Sequence, residues 1–147
     1  MIKEAIVLAG GLGTRLRSAV PDLPKCMAPV AGKPFLQYVM DHYLAQGIEK
    51  FILALGYKHE VITQYVKDSF PGLAVDFSIE TEPLGTGGAI RKACELGNDR
   101  HILAVNGDTL FRMNVSVLAK FHLSYKAQCT LCLKPMVEFD RYGAVEL

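Results

Sequence analysis

The sequence predicts a doubly wound α/β domain: a mostly parallel sheet with helices on both faces. Three observations carry this. Short apolar runs alternate with longer amphipathic stretches in the order β-α-β-α-β-α-β-α-β. The first run, Ile2 to Ala9, ends in Gly10-Gly11, as a parallel strand covered on both faces does. Glycines, prolines and charges then concentrate after strands, in Gly10 to Gly32, Glu80 to Gly88 and Asn106 to Thr109. With right-handed crossovers, all three loops open onto one rim of the sheet, where ligands of such folds sit.

The elements follow in order. After the first strand a long loop runs to Gly32. Pro34 to Gln46 reads as a helix, with Phe35, Val39, Tyr43 and Leu36, Met40, Leu44 on adjoining stripes and Gly47 as its stop. Phe51 to Leu55 is a second buried strand. Glu60 to Phe70 is helical and bounded by Pro71-Gly72. Ala74 to Ile79 alternates as a strand nearer an edge does. Ala89 to Leu96 is a helix closing at Gly97, Ile102 to Val105 a strand, Val115 to Tyr125 a helix, and Cys129 to Val137 a last strand. No internal repeat, low-complexity segment or linker interrupts this order.

A chain of 147 residues suits one domain with a real core. Half its residues are hydrophobic and 21% charged, a soluble globular composition. A net charge of +1 gives no basic stripe for nucleic acid and no acidic tail. The longest apolar run is too short to span a bilayer, and Glu4 with the lack of a small-residue cleavage site speaks against a signal peptide. These features predict a cytoplasmic protein without nucleic-acid or membrane partners. Oligomeric state stays open, a homo-oligomer included. The four cysteines, Cys26, Cys94, Cys129 and Cys132, are too scattered for a disulfide framework. Cys129 and Cys132 form a C-x-x-C, but on a strand i and i+3 point to opposite faces, so they are expected to be core thiols. The histidines His42, His59, His101 and His122 take no role.

The chemistry lies in the loops. Closely spaced glycines in Leu8-Ala-Gly-Gly-Leu-Gly-Thr-Arg-Leu16 let backbone N–H groups approach an anion, and Thr14 and Arg15 add donors for phosphate oxygens. This is not a Walker A loop, since no Gly-Lys-Ser/Thr ends it. It is not a full dinucleotide fingerprint either, because Leu16 stands in place of the third glycine. No acidic residue ends the second strand, where Gly56-Tyr57 stand, which disfavours a dinucleotide-dependent oxidoreductase.

Pro24-Lys25-Cys-Met-Ala-Pro29-Val30 and Gly32-Lys33-Pro34-Phe35 complete the composite pattern G-G-x-G-T-R-L…P-K…P-V…K-P. Glu82-Pro-Leu-Gly-Thr-Gly-Gly-Ala89, Asn106-Gly-Asp-Thr109 and Asp140-Arg-Tyr-Gly143 follow. With these, essentially the whole chain resembles the sugar-phosphate nucleotidyltransferases, which join an NTP to a sugar 1-phosphate and release pyrophosphate. The resemblance implies a Rossmann-like sheet of the nucleotide-diphospho-sugar transferase type and Mg²⁺ as cofactor. It implies that Gly10, Gly11 and Gly13 hold the nucleotide through backbone groups. Thr14 and Arg15 then meet the triphosphate, and Lys25 bridges toward the transferring phosphate, Arg15 and Lys25 being the catalytic pair. Gly88 faces the base, with Gly87 in the same nucleotide-binding set, Asp108 is one Mg²⁺ ligand, and Gly143 meets the sugar hydroxyls.

These residue types suit the reaction. The nucleophile, an oxygen of the sugar 1-phosphate, is already ionised, so positioning and charge stabilisation dominate. Two departures from the family matter: Arg17-Ser-Ala-Val-Pro21-Asp replaces a short proline-threonine stretch, and Cys26 stands where proline is frequent. Both resemble the branch acting on heptose or mannose 1-phosphate with GTP and on N-acetylmuramate 1-phosphate with UTP. Cys26 beside Lys25 reads either as a packed neutral thiol or as one with a lowered pKa, the packed thiol being favoured. Glu82 favours GTP, because a carboxylate only accepts hydrogen bonds and guanine offers N1–H and an amino group side by side.

The expectation is therefore a Mg²⁺-dependent guanylyltransferase acting on a heptose- or mannose-type sugar 1-phosphate. A uridylyltransferase for an amino-sugar phosphate and a catalytically inactive nucleotide-binding module are the alternatives. Family members continue past Gly143 with a Glu-Lys-Pro segment and a second metal-binding aspartate. The 147 residues are thus expected to be a single domain cut at its sugar-binding end, binding nucleotide weakly without turnover.

Overall fold

The computed structural model describes residues 2–11, 23–135 and 145. Strand β1 (Glu4–Leu8) leads to a single 3₁₀ turn at Lys25–Met27 and a small antiparallel hairpin, β2 (Pro29–Val30) and β3 (Lys33–Pro34). Then come α1 (Phe35–Leu44), β4 (Lys50–Leu55), α2 (His59–Ser69), β5 (Ala74–Ile79), α3 (Gly85–Cys94), β6 (Leu103–Asn106) and α4 (Val115–Ser124). The main sheet has the order β5-β4-β1-β6, and all three pairings are parallel. This is the expected doubly wound sheet, with β5 at an edge as its weaker alternation predicts.

Period-two alternation distributes the core over both faces. Ala5, Val7 and Ala9 of the first strand and its end join Phe51, Leu53 and Leu55 under α1, α2 and α4. Ile6 joins Ile52 and Ala54 on the other face, against Ala89 and Ala93 of α3. Small residues on α3 let its axis lie close to the sheet.

Local signals mark most ends. Gly47 and Gly72 take positive φ, 89° and 81°, where α1 and α2 give way to turns. Asn114 caps α4 by accepting a hydrogen bond from the Val117 amide at 3.0 Å. Gln46 Oε1 takes the Val115 amide at 2.9 Å, satisfying a second N–H of that helix end.

Two elements differ from the sequence expectation. Helix α3 begins at Gly85 rather than Ala89, so Gly87 and Gly88 are helical and not part of a loop. Three glycines in four residues oppose helix formation by propensity. Packing of Ala89 and Ala93 on the sheet, and the Leu84 amide bound to Glu80 Oε2 at 3.1 Å, override it. The strand expected from Cys129 to Val137 is not formed over its described part, residues 129–135. Its apolar alternation has no hydrogen-bonded partner there, and Leu131 and Leu133 remain exposed. Cys129 and Cys132 are correspondingly exposed rather than core thiols.

Candidate functional site

Parallel register aligns the strand ends: Leu8 pairs with Ala54 and with Asn106, and Leu55 with Ile79. The chain steps outward from β1 through β4 to β5, then crosses back to place β6 on the other side of β1. Strand order therefore reverses between β1 and β6, and a crevice at the carboxyl ends follows from that topology. A cleft of about 750 Å³ opens on this rim. Gly10, Gly11, Glu82 and Asp108 line it, as the sequence led one to expect, together with Gly56 and Glu80.

Close backbone packing shapes its floor. A Cβ built on Gly56 would lie 3.0 Å from the Gly10 carbonyl oxygen, and one on Gly10 would lie 3.2 Å from the Gly56 nitrogen. The ends of β1 and β4 thus touch as bare backbone, at the position where a dinucleotide fold needs a ribose-binding carboxylate. Glu80 sits beside them. One carboxylate oxygen accepts the Leu84 amide at the start of α3; the other would be 3.4 Å from a Cβ on Gly10.

Helix α3 presents Gly85, Thr86 and Ala89 to the cleft. Gly87 and Gly88 stand in its first turns and are not among the residues lining the wall. A Cβ on Gly88 would press on Leu84 Cβ at 2.8 Å, whereas one on Gly87 would meet nothing within 4 Å.

Lys25 and Asp108 come together from distant parts of the chain, and Asp108 lines the cleft. The 3₁₀ turn buries Cys26 and Met27 and leaves Lys25 pointing outward. Its Nζ meets Asp108 Oδ2 at 2.5 Å, and the Thr109 hydroxyl donates to Asp108 Oδ1 at 3.3 Å. Burial pushes the Cys26 thiol up to about 12, so it is a packed neutral thiol and not a nucleophile. Asp108 is held by Gly107, whose amide donates to the Leu8 carbonyl at 2.8 Å at the end of β1.

Among the described residues no three His, Cys, Asp or Glu side chains gather as a metal cage. Asp108, a partly exposed carboxylate lining the cleft, fits a hard cation such as Mg²⁺, which keeps waters and takes its other ligands from phosphates. None of the four histidines lines the cleft; His101 and His122 bond each other at 3.0 Å beside β6. Gly13, Thr14, Arg15 and Gly143 lie outside the described residues.

Sequence reasoning missed Glu80, Gly56 and Gly107. Glu80 had a readable signal, an acidic residue just past a strand and five before a helix start, obscured because that helix was expected to begin at Ala89. Gly56 and Gly107 are defined by contacts across strands, which no local pattern carries.

No helix among the described residues is long and apolar enough to cross a membrane. The chain is 51% identical over 142 residues to a D-glycero-alpha-D-manno-heptose 1-phosphate guanylyltransferase of Aneurinibacillus thermoaerophilus, covering 97% of this chain and 62% of the relative. It is 40% identical to a mannose-1-phosphate guanylyltransferase of Mycobacterium tuberculosis, over 97% of this chain and 40% of that protein. Among solved structures, HddC from Yersinia pseudotuberculosis complexed with GMP-PN superposes with a TM-score of 0.76 at 41% identity, covering 83% of this chain and 55% of that one. The chain thus spans about three fifths of the length of the heptose relative. With the sequence matching from residue 4 to residue 147 and the cleft built on the same sheet, the chain belongs to the nucleotidyl transferase family.

Proposed function

We propose that the protein transfers a guanylyl group from GTP to a heptose- or mannose-type sugar 1-phosphate, yielding an NDP-sugar and pyrophosphate, in the cytoplasm and with Mg²⁺. The observation that carries this is the rim cleft, lined by the bare backbone of Gly10, Gly11 and Gly56 and by Asp108, the carboxylate that Lys25 pairs. The guanylyltransferase names of the relatives and the GMP-PN complex of HddC support the choice of base and sugar class.

In this mechanism a phosphate oxygen of the sugar 1-phosphate attacks the α-phosphorus. A new P–O bond forms, the bond to the β-phosphate breaks, and pyrophosphate leaves with its electron pair. No proton need be removed, so the buried, neutral Cys26 and the distant histidines are not missed. Gly10 and Gly11 offer backbone to the nucleotide without a Cβ in the way. Lys25 turns its ammonium to the phosphate oxygens as charge builds up in the transition state, with Arg15 and Thr14 at the triphosphate. Asp108 would hold Mg²⁺, which supplies positive charge to the phosphates. Glu82 and, deeper in the cleft, Glu80 are the carboxylates available to guanine's paired donors. Gly143 is assigned to the sugar.

Pyrophosphate release from each NTP, with heptose, mannose and amino-sugar 1-phosphates, tests the proposal on the intact protein. GTP with a heptose or mannose phosphate should be fastest by at least tenfold. A preference for UTP with an amino sugar overturns the specificity. Nucleotide binding without any pyrophosphate release overturns the activity.

A further inference from the structure

We infer that Lys25 is a built-in counter-cation for Asp108 and keeps a divalent cation off that carboxylate until a nucleotide arrives. The inference rests on the metal-binding part proposed for Asp108. Both Asp108 oxygens already have partners within the chain: Lys25 Nζ on Oδ2 at 2.5 Å and the Thr109 hydroxyl on Oδ1 at 3.3 Å. Among the described residues no third acidic or imidazole side chain joins them to offset a doubly charged ion. Of the two other carboxylates lining the cleft, Glu80 accepts the Leu84 amide through Oε2 and Glu82 is exposed to solvent.

A cation arriving alone must therefore displace the ammonium from Oδ2, or bind within a few ångströms of a like charge. The local structure makes Lys25 a gate with a fixed hinge. Its turn is anchored by the buried Cys26 and Met27, while its side chain is 39% exposed and free to swing on a four-carbon stem. A triphosphate reverses the balance. It offers Lys25 several anionic oxygens in exchange for one, and it carries the cation in already ligated. Cation and nucleotide then bind with positive coupling, and the coupling is reciprocal. The residue that stabilises the transferring phosphate thereby also prevents the empty site from filling with metal in an unproductive order.

The test uses Mn²⁺ alone as probe, with free Mn²⁺ measured by its electron paramagnetic resonance signal in the absence of nucleotide. The intact wild-type protein is compared with Lys25→Met, Lys25→Arg, Asp108→Asn and the Lys25→Met/Asp108→Asn double variant. Lys25→Met should bind Mn²⁺ about tenfold more tightly than wild type, a change of 1.4 kcal/mol. Lys25→Arg, which keeps the charge, should stay within threefold of wild type, and the double variant should lose the gain. Should Lys25→Met fail to fold, Lys25→Gln takes its place. Equal Mn²⁺ affinity in wild type and the neutral variant overturns the inference, as does a Lys25→Arg protein that binds as tightly as Lys25→Met. No measurable Mn²⁺ binding to the neutral variant at millimolar concentrations overturns it too. The metal role of Asp108 is separable: it fails only if Asp108→Asn leaves Mn²⁺ binding unchanged both with and without GTP.

Discussion

Gly107→Ala probes how Asp108 is placed. Gly107 follows β6 and donates its amide to the Leu8 carbonyl at 2.8 Å. A methyl group there would lie 3.1 Å from Ala9 Cβ, 3.1 Å from Val7 Cγ1 and 3.2 Å from the Leu8 oxygen. None of these neighbours can swing aside: one is a fixed methyl, one a fully buried β-branched side chain, one backbone. The turn must therefore move outward by a few tenths of an ångström, stretching the amide bond and carrying Asp108 with it. Overpacking of this kind costs about 1–3 kcal/mol. That is below the roughly 5–15 kcal/mol that holds a domain folded, so the variant should fold with a lowered urea midpoint and an unchanged m value. A misplacement of about 1 Å at a reacting centre can cost a hundredfold in rate. A shift of a few tenths should lower kcat about tenfold, read by pyrophosphate release at saturating GTP and Mg²⁺. Unaltered stability and kcat would show that the turn accepts a methyl and that bare backbone at Gly107 does not set Asp108. A loss beyond a thousandfold in a folded variant would equally refute the reasoning, because the displacement derived from these contacts is too small to produce it.

Lys25→Ala should lower turnover at least about a hundredfold, since a charge aimed at the transition state is worth a few kcal/mol; near-normal kinetics in the folded variant would remove Lys25 from the site. Glu82→Gln should weaken GTP relative to UTP by about 1–3 kcal/mol in calorimetric titrations. Glu80→Gln run beside it identifies which carboxylate meets the base, and an unchanged ratio excludes the residue concerned. Gly87→Ala should raise stability by about 0.5–1 kcal/mol, because the site is helical and a Cβ there meets nothing within 4 Å. Unchanged GTP affinity in that variant means that no nucleotide atom approaches Gly87 closely. Burial alone would push Glu4 up, but the amides of Asp99 and Asn98 and the Lys50 ammonium outweigh it and hold the carboxyl below its ordinary value of 4.5. A carboxylate lowered on folding gives stability that is present above that value and lost as pH falls through the folded one. Glu4→Gln should therefore flatten the acid limb below about pH 4.5 in urea midpoints; limbs that run parallel to wild type refute the assignment.

Much of the fold was legible because its strands are short apolar runs and its helices carry continuous stripes. Ala74–Ile79 was placed to the residue, and α1, α2 and α4 to within two residues at each end. What failed did so for tertiary reasons. Gly85 to Gly88 spells a loop to any local propensity, and only packing on the sheet and the Glu80 carboxylate at the helix start make it helical. Residues 129–135 spell a strand, yet a strand exists only where a neighbouring backbone lies in register. In the site, Gly10, Gly11, Glu82 and Asp108, which the loop motifs single out, line one cleft. The Lys25–Asp108 pair, 83 positions apart in sequence, was legible only as two separate roles. That the two side chains bind each other follows from the strand order, which sets the loop after β6 beside the one after β1.

The two ends of the sheet use charge in opposite ways. At the amino ends, Glu4 is buried and accepts the amides of Asn98 and Asp99 at 2.8 and 3.1 Å. Lys50 sits 2.8 Å from Asp76 and 3.8 Å from Glu4, and donates to the Leu96 carbonyl at 2.7 Å. Glu4 and Lys50 each have several partners from different strands and turns, so removing one of them leaves largely buried groups unsatisfied. Such a network fixes register and resists rearrangement. At the carboxyl ends, Lys25 and Asp108 form a partly exposed contact between two loops. Solvent screening keeps an exposed pair weak, typically below about 1 kcal/mol. A site that must trade one ionic partner for another cannot hold the first too tightly. The cleft is thus lined by a carboxylate held in a weak, partly exposed pair, and the locked charges lie a full strand length away, where opening would cost the sheet its register.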